Sequence, residues 1–465
     1  MSQANQPPTV TYDPSVPADN GLSALGLLMQ LAGSVFAGIM CLYAFLLIGG
    51  ANLFGQTGWL LLVLVACVGR SLVHRWAGTE LLYGKRTTDE LGDPLAPVRK
   101  YIAVGLAHSA LLTLLLIGKF DMPMKYGLAF GGALALWPAA LAILLQQPRF
   151  QSFRTEIPVP EDKGFEGVAI LMVVLGAIGL LCSGTVLIVM LEADDILMRH
   201  GHGVPMIGAT LMLVIRSGLH VHAGLTGLRE TSLERAAELA NRYANFGVIT
   251  SFCVGAALLI TMFRVAFHPV AIAFLAGVCW MLLAWPLIIR RFFSERQFAD
   301  LLAGDKAEAH RRAPDAGLTS LGWLLFAYSI YGATMLLPQL VAGQGEGLMS
   351  ELFSSPGETS LSVWLGAGVL VLQAWAGLEL IRMSASSKVI ATVYALAAAA
   401  IAIYTTLPVL DALDELFAMS GGPLGMLSFV PLGVSLVLPV VTLLLVNRKI
   451  APTATARFRP RTPEG

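Results

Sequence analysis

Arg70-Ser71-Leu72-Val73-His74-Arg75-Trp76-Ala77-Gly78 returns as Arg216-Ser217-Gly218-Leu219-His220-Val221-His222-Ala223-Gly224. A degenerate copy follows as Val369-Leu370-Val371-Leu372-Gln373-Ala374-Trp375-Ala376-Gly377. About fifty residues before each copy stands another echo. Gly21-Leu22-Ser23-Ala24-Leu25-Gly26 matches Gly317-Leu318-Thr319-Ser320-Leu321-Gly322, and more loosely Gly164-Phe165-Glu166-Gly167-Val168-Ala169. The spacing predicts three tandem units, and each holds four long apolar segments.

Composition fixes the class. The chain of 465 residues is 56% hydrophobic and 13% charged, outside the range of soluble domains. Apolar runs recur that are long enough to cross a hydrocarbon core of roughly 30 Å. Gly- and Leu-rich runs without strict alternation select helices over a β-barrel. The expected fold is therefore an all-α polytopic membrane protein of about twelve transmembrane helices. These are predicted at 22–50, 57–83, 98–119, 126–146, 166–191, 204–228, 244–266, 270–290, 318–341, 360–382, 386–408 and 425–446. Residues 1–20 are polar and Pro-rich, without the basic start or cleavage site of a signal peptide.

The units are expected at 21–150, 164–293 and 316–449. Residues 151–163 form a cytoplasmic linker and 294–315 an amphipathic one, with cytoplasmic tails at 1–20 and 450–465. Four helices per unit is an even number, so all three units insert in the same orientation, related by an axis along the membrane normal. A pseudo-threefold ring is the leading arrangement and a row of units is the alternative.

Basic residues set the orientation. With the N-terminus inside, all of the 30 Lys and Arg except Lys119, Lys125, Arg199 and Arg264 fall on the cytoplasmic side. Both termini are then cytoplasmic, in a membrane of the bacterial inner-membrane kind. Two capping boxes, Thr231-x-x-Glu234 and Ser294-x-x-Gln297, predict short helices lying on that surface, with Leu233, Ala236 and Ala237 in one and Phe298, Leu301 and Leu302 in the other.

The polar faces of the second helices are the candidate ligand site. Arg70 and His74, like Arg216 and His220, stand four residues apart and share a helix face. A cation at this depth is costly and normally faces a bundle interior or a wet cavity. An internal structural hydrogen-bond role and snorkelling are the alternatives. Against snorkelling, helical side chains lean toward the helix N-terminus, which here directs both arginines to the membrane centre. Arg suits a carboxylate or phosphate and His adds a titratable group, so an anionic headgroup, a carboxylate solute or a quinone carbonyl would fit. Gln373 and Val369 occupy the corresponding places in the third unit. Ala77-Gly78, Ala223-Gly224 and Ala376-Gly377 read as small pairs that let helices approach closely.

Other features point to packing. Trp137-Pro138, Trp285-Pro286 and Pro439 are expected to kink the fourth helices. Cys41, Cys67, Cys182, Cys253 and Cys279 lie in apolar segments without metal-ligand spacing. His108, near the depth of His74, raises a two-histidine haem site, and His200-Gly201-His202 beside Asp194 and Asp195 a surface metal. Neither has enough partners in the other units or nearby for a cofactor or metal to be assigned. No catalytic motif is present, and a net charge of +0 gives no nucleic-acid-binding surface.

The expected function is a non-catalytic membrane subunit or scaffold, with membrane lipid and other membrane proteins as partners, and with lipid or another anionic or lipophilic ligand on the Arg–His faces. A small-solute permease is the alternative, weakened by the almost wholly apolar outer halves of the second helices. A membrane enzyme acting on a lipophilic substrate is the third reading.

Overall fold

The computed structural model describes residues 22–50, 56–83, 95–146, 165–192, 203–229, 233–265, 269–294, 318–342, 360–382, 384, 386–411 and 435–447. Within them the chain forms helices α1 (Leu22–Gly50), α2 (Gln56–Tyr83), α3 (Ala96–Gly118) and α4 (Met124–Leu145). There follow α5 (Phe165–Glu192), α6 (Gly203–Arg229), α7 (Leu233–Val265) and α8 (Pro269–Ser294). The last are α9 (Leu318–Ala342), α10 (Ser360–Arg382), α11 (Ser387–Asp411) and the shorter α12 (Ser435–Asn447). No strand occurs among the described residues. Ten of these helices are long and apolar enough to cross a membrane, so the chain is an all-helical, multi-pass membrane protein.

One expectation is corrected. The start signal Thr231-x-x-Glu234 does not open a separate surface helix, because Leu233–Val265 is one continuous helix. No proline interrupts this stretch, and Ala236, Ala237 and Ala240 are buried with Tyr243, Trp285 and Ile289. Apolar packing on one face therefore carries the helix through. The second predicted surface helix, with Phe298, Leu301 and Leu302, lies outside the described residues, as do 425–434 of the predicted twelfth span and both tails.

Three helix pairs are built on close backbone contact: α1 with α2, α5 with α6, and α9 with α10. A Cβ added at Gly78 would stand 2.6 Å from the Gln30 nitrogen and the Gly26 carbonyl oxygen. At Gly224 it would meet the Val173 nitrogen at 2.7 Å, and at Gly377 the Phe326 nitrogen at 2.7 Å. Ala77, Ala223 and Ala376 beside them are buried. In lipid, where apolar burial between helices gives little, such approach is what dispersion contacts require.

Two further contacts link distant parts of the chain: α1 packs on α8, and α9 on α4. Trp280 Nε1 donates to the Ser34 carbonyl at 2.9 Å, and Thr334 Oγ1 to the Ala133 carbonyl at 3.2 Å. Leu438, Val441 and Val446 of α12 share a core with Ala169, Ile170 and Val173 of α5. The helices α1, α5 and α9 also touch one another pairwise. A Cβ on Gly167 would meet both Ala24 Cβ and Ser320 Oγ at 3.4 Å, so these three residues form a single meeting point.

Aromatic and basic residues mark two levels along α2. Lys119 Nζ sits 5.3 Å over the Trp59 ring and Lys100 Nζ 5.8 Å over the Trp76 ring. The two tryptophans are seventeen residues apart, about 25 Å along the axis. That separation suits the two edges of a hydrocarbon layer, where Trp and Lys accumulate.

Candidate functional site: two arginine locks inside the helical bundles

Prolines in the fourth and eighth helices create the site. Pro138 has no N–H, so the Leu134 carbonyl four residues earlier loses its helical donor. Arg70 Nη2 donates to that carbonyl at 2.5 Å. Pro286 frees the Leu282 carbonyl in the same way, and Arg216 Nη2 donates to it at 2.6 Å. In hydrocarbon an orphaned carbonyl and an unpaired guanidinium are each costly, and each here offsets the other.

The third and seventh helices complete the arrangement. Arg70 Nη1 donates to Ser109 Oγ at 3.1 Å, and Arg216 Nη1 to Ser251 Oγ at 3.0 Å. Both hydroxyls donate back along their own helix, to the Gly105 and Gly247 carbonyls. Those glycines leave room for the prolines: a Cβ on Gly105 would stand 3.1 Å from the Pro138 ring, and one on Gly247 2.8 Å from that of Pro286.

The histidines are held one turn further along. Trp137 Nε1 donates to His74 Nε2 at 3.1 Å, and Trp285 Nε1 to His220 Nε2 at 2.7 Å. An indole can only donate, so Nε2 must offer a lone pair and the ring proton resides on Nδ1. His74 stacks on Tyr101 with ring centroids 4.4 Å apart, and His220 on Tyr243 at 4.1 Å. Each tyrosine hydroxyl also interacts with the arginine of its own set. His74 and His220 are almost completely buried.

The two predicted pairs are therefore not brought together. Arg70 and His74 are engaged by α3 and α4, Arg216 and His220 by α7 and α8. Gln373 takes no part in either set: its Nε2 donates to the Leu325 carbonyl of α9 at 3.2 Å. His74 and His108 do not face a common iron position, because Trp137 occupies His74 Nε2 while His108 turns to Arg70 and Cys67. Among the described residues no cluster of three or more His, Cys, Asp or Glu could hold a metal ion, and His200 and His202 lie outside them.

Around Gln373 the arginine, the serine, the histidine and the tryptophan have all been replaced. Val369 replaces the arginine and Ala402 stands where Ser109 and Ser251 accept from it. Gln373 replaces the histidine and Leu438 stands where Trp137 and Trp285 donate to it. Tyr394 and Pro439 persist. Loss of the histidine or the indole alone would strand the other, and here both are absent.

The tryptophan–proline echo of the fourth helices was visible as a kink, but its link to the arginines was not. The third helices also carry a signal in Tyr101-x-x-x-Gly105-x-x-x-Ser109 and Tyr243-x-x-x-Gly247-x-x-x-Ser251. Compared with protein-family models, with curated proteins and with solved structures, the chain matches none.

Proposed function

We propose that the chain is a non-catalytic scaffold or subunit of a bacterial-type inner membrane, with both termini cytoplasmic, that organises lipid and other membrane proteins around a rigid helical ring. In this reading the residues 21–150, 164–293 and 316–449 are three tandem four-helix units of one orientation, arranged with pseudo-threefold symmetry. The meeting of Ala24, Gly167 and Ser320 at matching repeat positions supports that symmetry. So do the successive contacts of α1 on α8 and α9 on α4, and the core that α5 shares with α12.

One observation carries the functional reading. The guanidinium groups of Arg70 and Arg216 spend hydrogen bonds on carbonyls that their own bundles leave free, and His74 and His220 accept from buried indoles. Polar residues inside the membrane commonly mark a transport path; here they close each bundle instead.

Native mass spectrometry of the chain released from its membrane in nanodiscs tests the reading. A scaffold emerges with a second membrane protein at fixed stoichiometry, and that protein falls in abundance when the chain is deleted. A chain that emerges alone and conducts a small solute in proteoliposomes contradicts it.

A further inference from the structure

The first arginine lock has an arm that the second lacks. Arg70 Nη1 lies 3.5 Å from His108 Nδ1, and His108 Nε2 lies 3.8 Å from Cys67 Sγ. At the matching positions of the second lock stand Thr250 and Leu213, and Arg216 Nη1 finds its further acceptor in the Gly247 carbonyl at 3.5 Å, beside Ser251 at 3.0 Å, without any histidine or thiol. A backbone carbonyl therefore serves the second guanidinium where the first lock uses a histidine. A histidine and a thiol placed where a backbone carbonyl would serve are a costly choice in hydrocarbon.

Its chemistry is set by the arginine. A guanidinium only donates, so His108 Nδ1 must accept and the ring proton is placed on Nε2. That proton points to a sulfur, a weak acceptor, at 3.8 Å. His108 and Cys67 are both half-buried, and the flanking Val104 and Leu111 are exposed on the surface that faces the bilayer. An imidazole N–H so placed is a donor in search of a better acceptor, and a carbonyl oxygen is one.

Depth selects which carbonyl. Cys67 stands eight residues from Trp59 and nine from Trp76, about 12 to 14 Å along the helix from either interface. Ester carbonyls of glycerolipids stay near the interfaces of a hydrocarbon layer roughly 30 Å thick. A quinone ring carried on a hydrocarbon tail can reach the midplane. We infer that His108 and Cys67 form a bilayer-facing binding site for the ring carbonyl of a membrane-dissolved quinone, with His108 Nε2–H as the donor and Arg70 holding the imidazole in that tautomer. The site binds the ring; no electron transfer is implied.

The second lock supplies the control variants. His108→Thr and Cys67→Leu install residues that already stand beside Arg216, so both are compatible with an intact lock. Full-length protein in nanodiscs of ether-linked lipid, which has no ester carbonyls, is titrated with decylubiquinone, and the quinone retained per chain is measured. The expected result is saturable binding of one quinone per chain, weakened about tenfold in His108→Thr, as loss of one hydrogen bond implies, and not weakened in Cys67→Leu, which removes only the competing sulfur. Thermal unfolding of both variants should match the parent. Absence of saturable binding, equal affinity in a folded His108→Thr variant, or weaker binding in Cys67→Leu overturns the site. Repeating the titration in ester-linked lipid should leave affinity unchanged; loss of binding there would make a lipid ester carbonyl the occupant and overturn the quinone assignment.

Discussion

The Leu134 carbonyl accepts a hydrogen bond from Arg70 because Pro138, four residues on, has no N–H to give it. Leu282, Arg216 and Pro286 repeat the relationship. Each proline makes a defect in its helix, and each arginine fills it from a neighbouring helix. The proline and the intramembrane charge are thus parts of one device.

That coupling is measurable. Pro138→Ala returns an N–H to α4 and competes with Arg70 for the Leu134 carbonyl. Arg70→Ala should destabilise the protein by about 1–2 kcal/mol, the upper range for interhelical hydrogen bonds in membranes. In a Pro138→Ala background the same change should cost less. A double-mutant cycle of unfolding in detergent should therefore show coupling of about 1 kcal/mol. Strict additivity would mean that proline and arginine act independently.

The paired changes around Gln373 suggest a second cycle. His220→Gln alone leaves the Trp285 N–H without its ring acceptor, and Trp285→Leu alone leaves the His220 lone pair without its donor. Each should lower stability by about 1–3 kcal/mol. The combination copies Gln373 and Leu438 and should cost less than the sum. Melting temperatures of the four proteins decide it.

Ser251→Ala removes an acceptor from Arg216 at 3.0 Å while leaving the Leu282 carbonyl in place. The expected loss is about 1 kcal/mol, because a charged donor is left under-satisfied at membrane depth. Ser251→Thr should restore most of it. Equal stability for the alanine and parent proteins would remove the hydroxyl from the lock.

The glycines give a contrast within one helix. Gly78→Ala puts a methyl 2.6 Å from the backbone of α1, where nothing flexible can give way. Separation of α1 and α2 should cost about 1–3 kcal/mol. Gly69→Ala meets no atom within 4 Å and should be neutral or slightly stabilising. Similar melting temperatures for the two variants would place the helix contact elsewhere.

Much of this was legible in the chain, and the failures have physical causes. Apart from the start of α7 and the start of the twelfth span, which lies outside the described residues, hydropathy located the described helices to within a few residues, since a span must be long and apolar whatever it packs against. Residues 233–243 were misassigned because the capping box Thr231-x-x-Glu234 and the helical spacing of Leu233, Ala236 and Ala237 read as a short surface helix when taken alone. Only packing shows Ala236, Ala240 and Tyr243 buried against α8. The depth and shared face of Arg70 and His74 followed from helical periodicity. Their partners did not, because Ser109, Leu134 and Trp137 lie on other helices, and a backbone carbonyl carries no sequence label. Pro138 was the readable clue: a missing N–H at one residue implies an unsatisfied oxygen four residues before it.

A side-chain-resolution density map of the protein in lipid nanodiscs tests the central claim most directly. The account predicts both guanidinium groups on the Leu134 and Leu282 carbonyls, both indoles on their histidines, and no non-protein density between the two arginines. Arginines turned instead into a shared cavity that holds a bound molecule would contradict it.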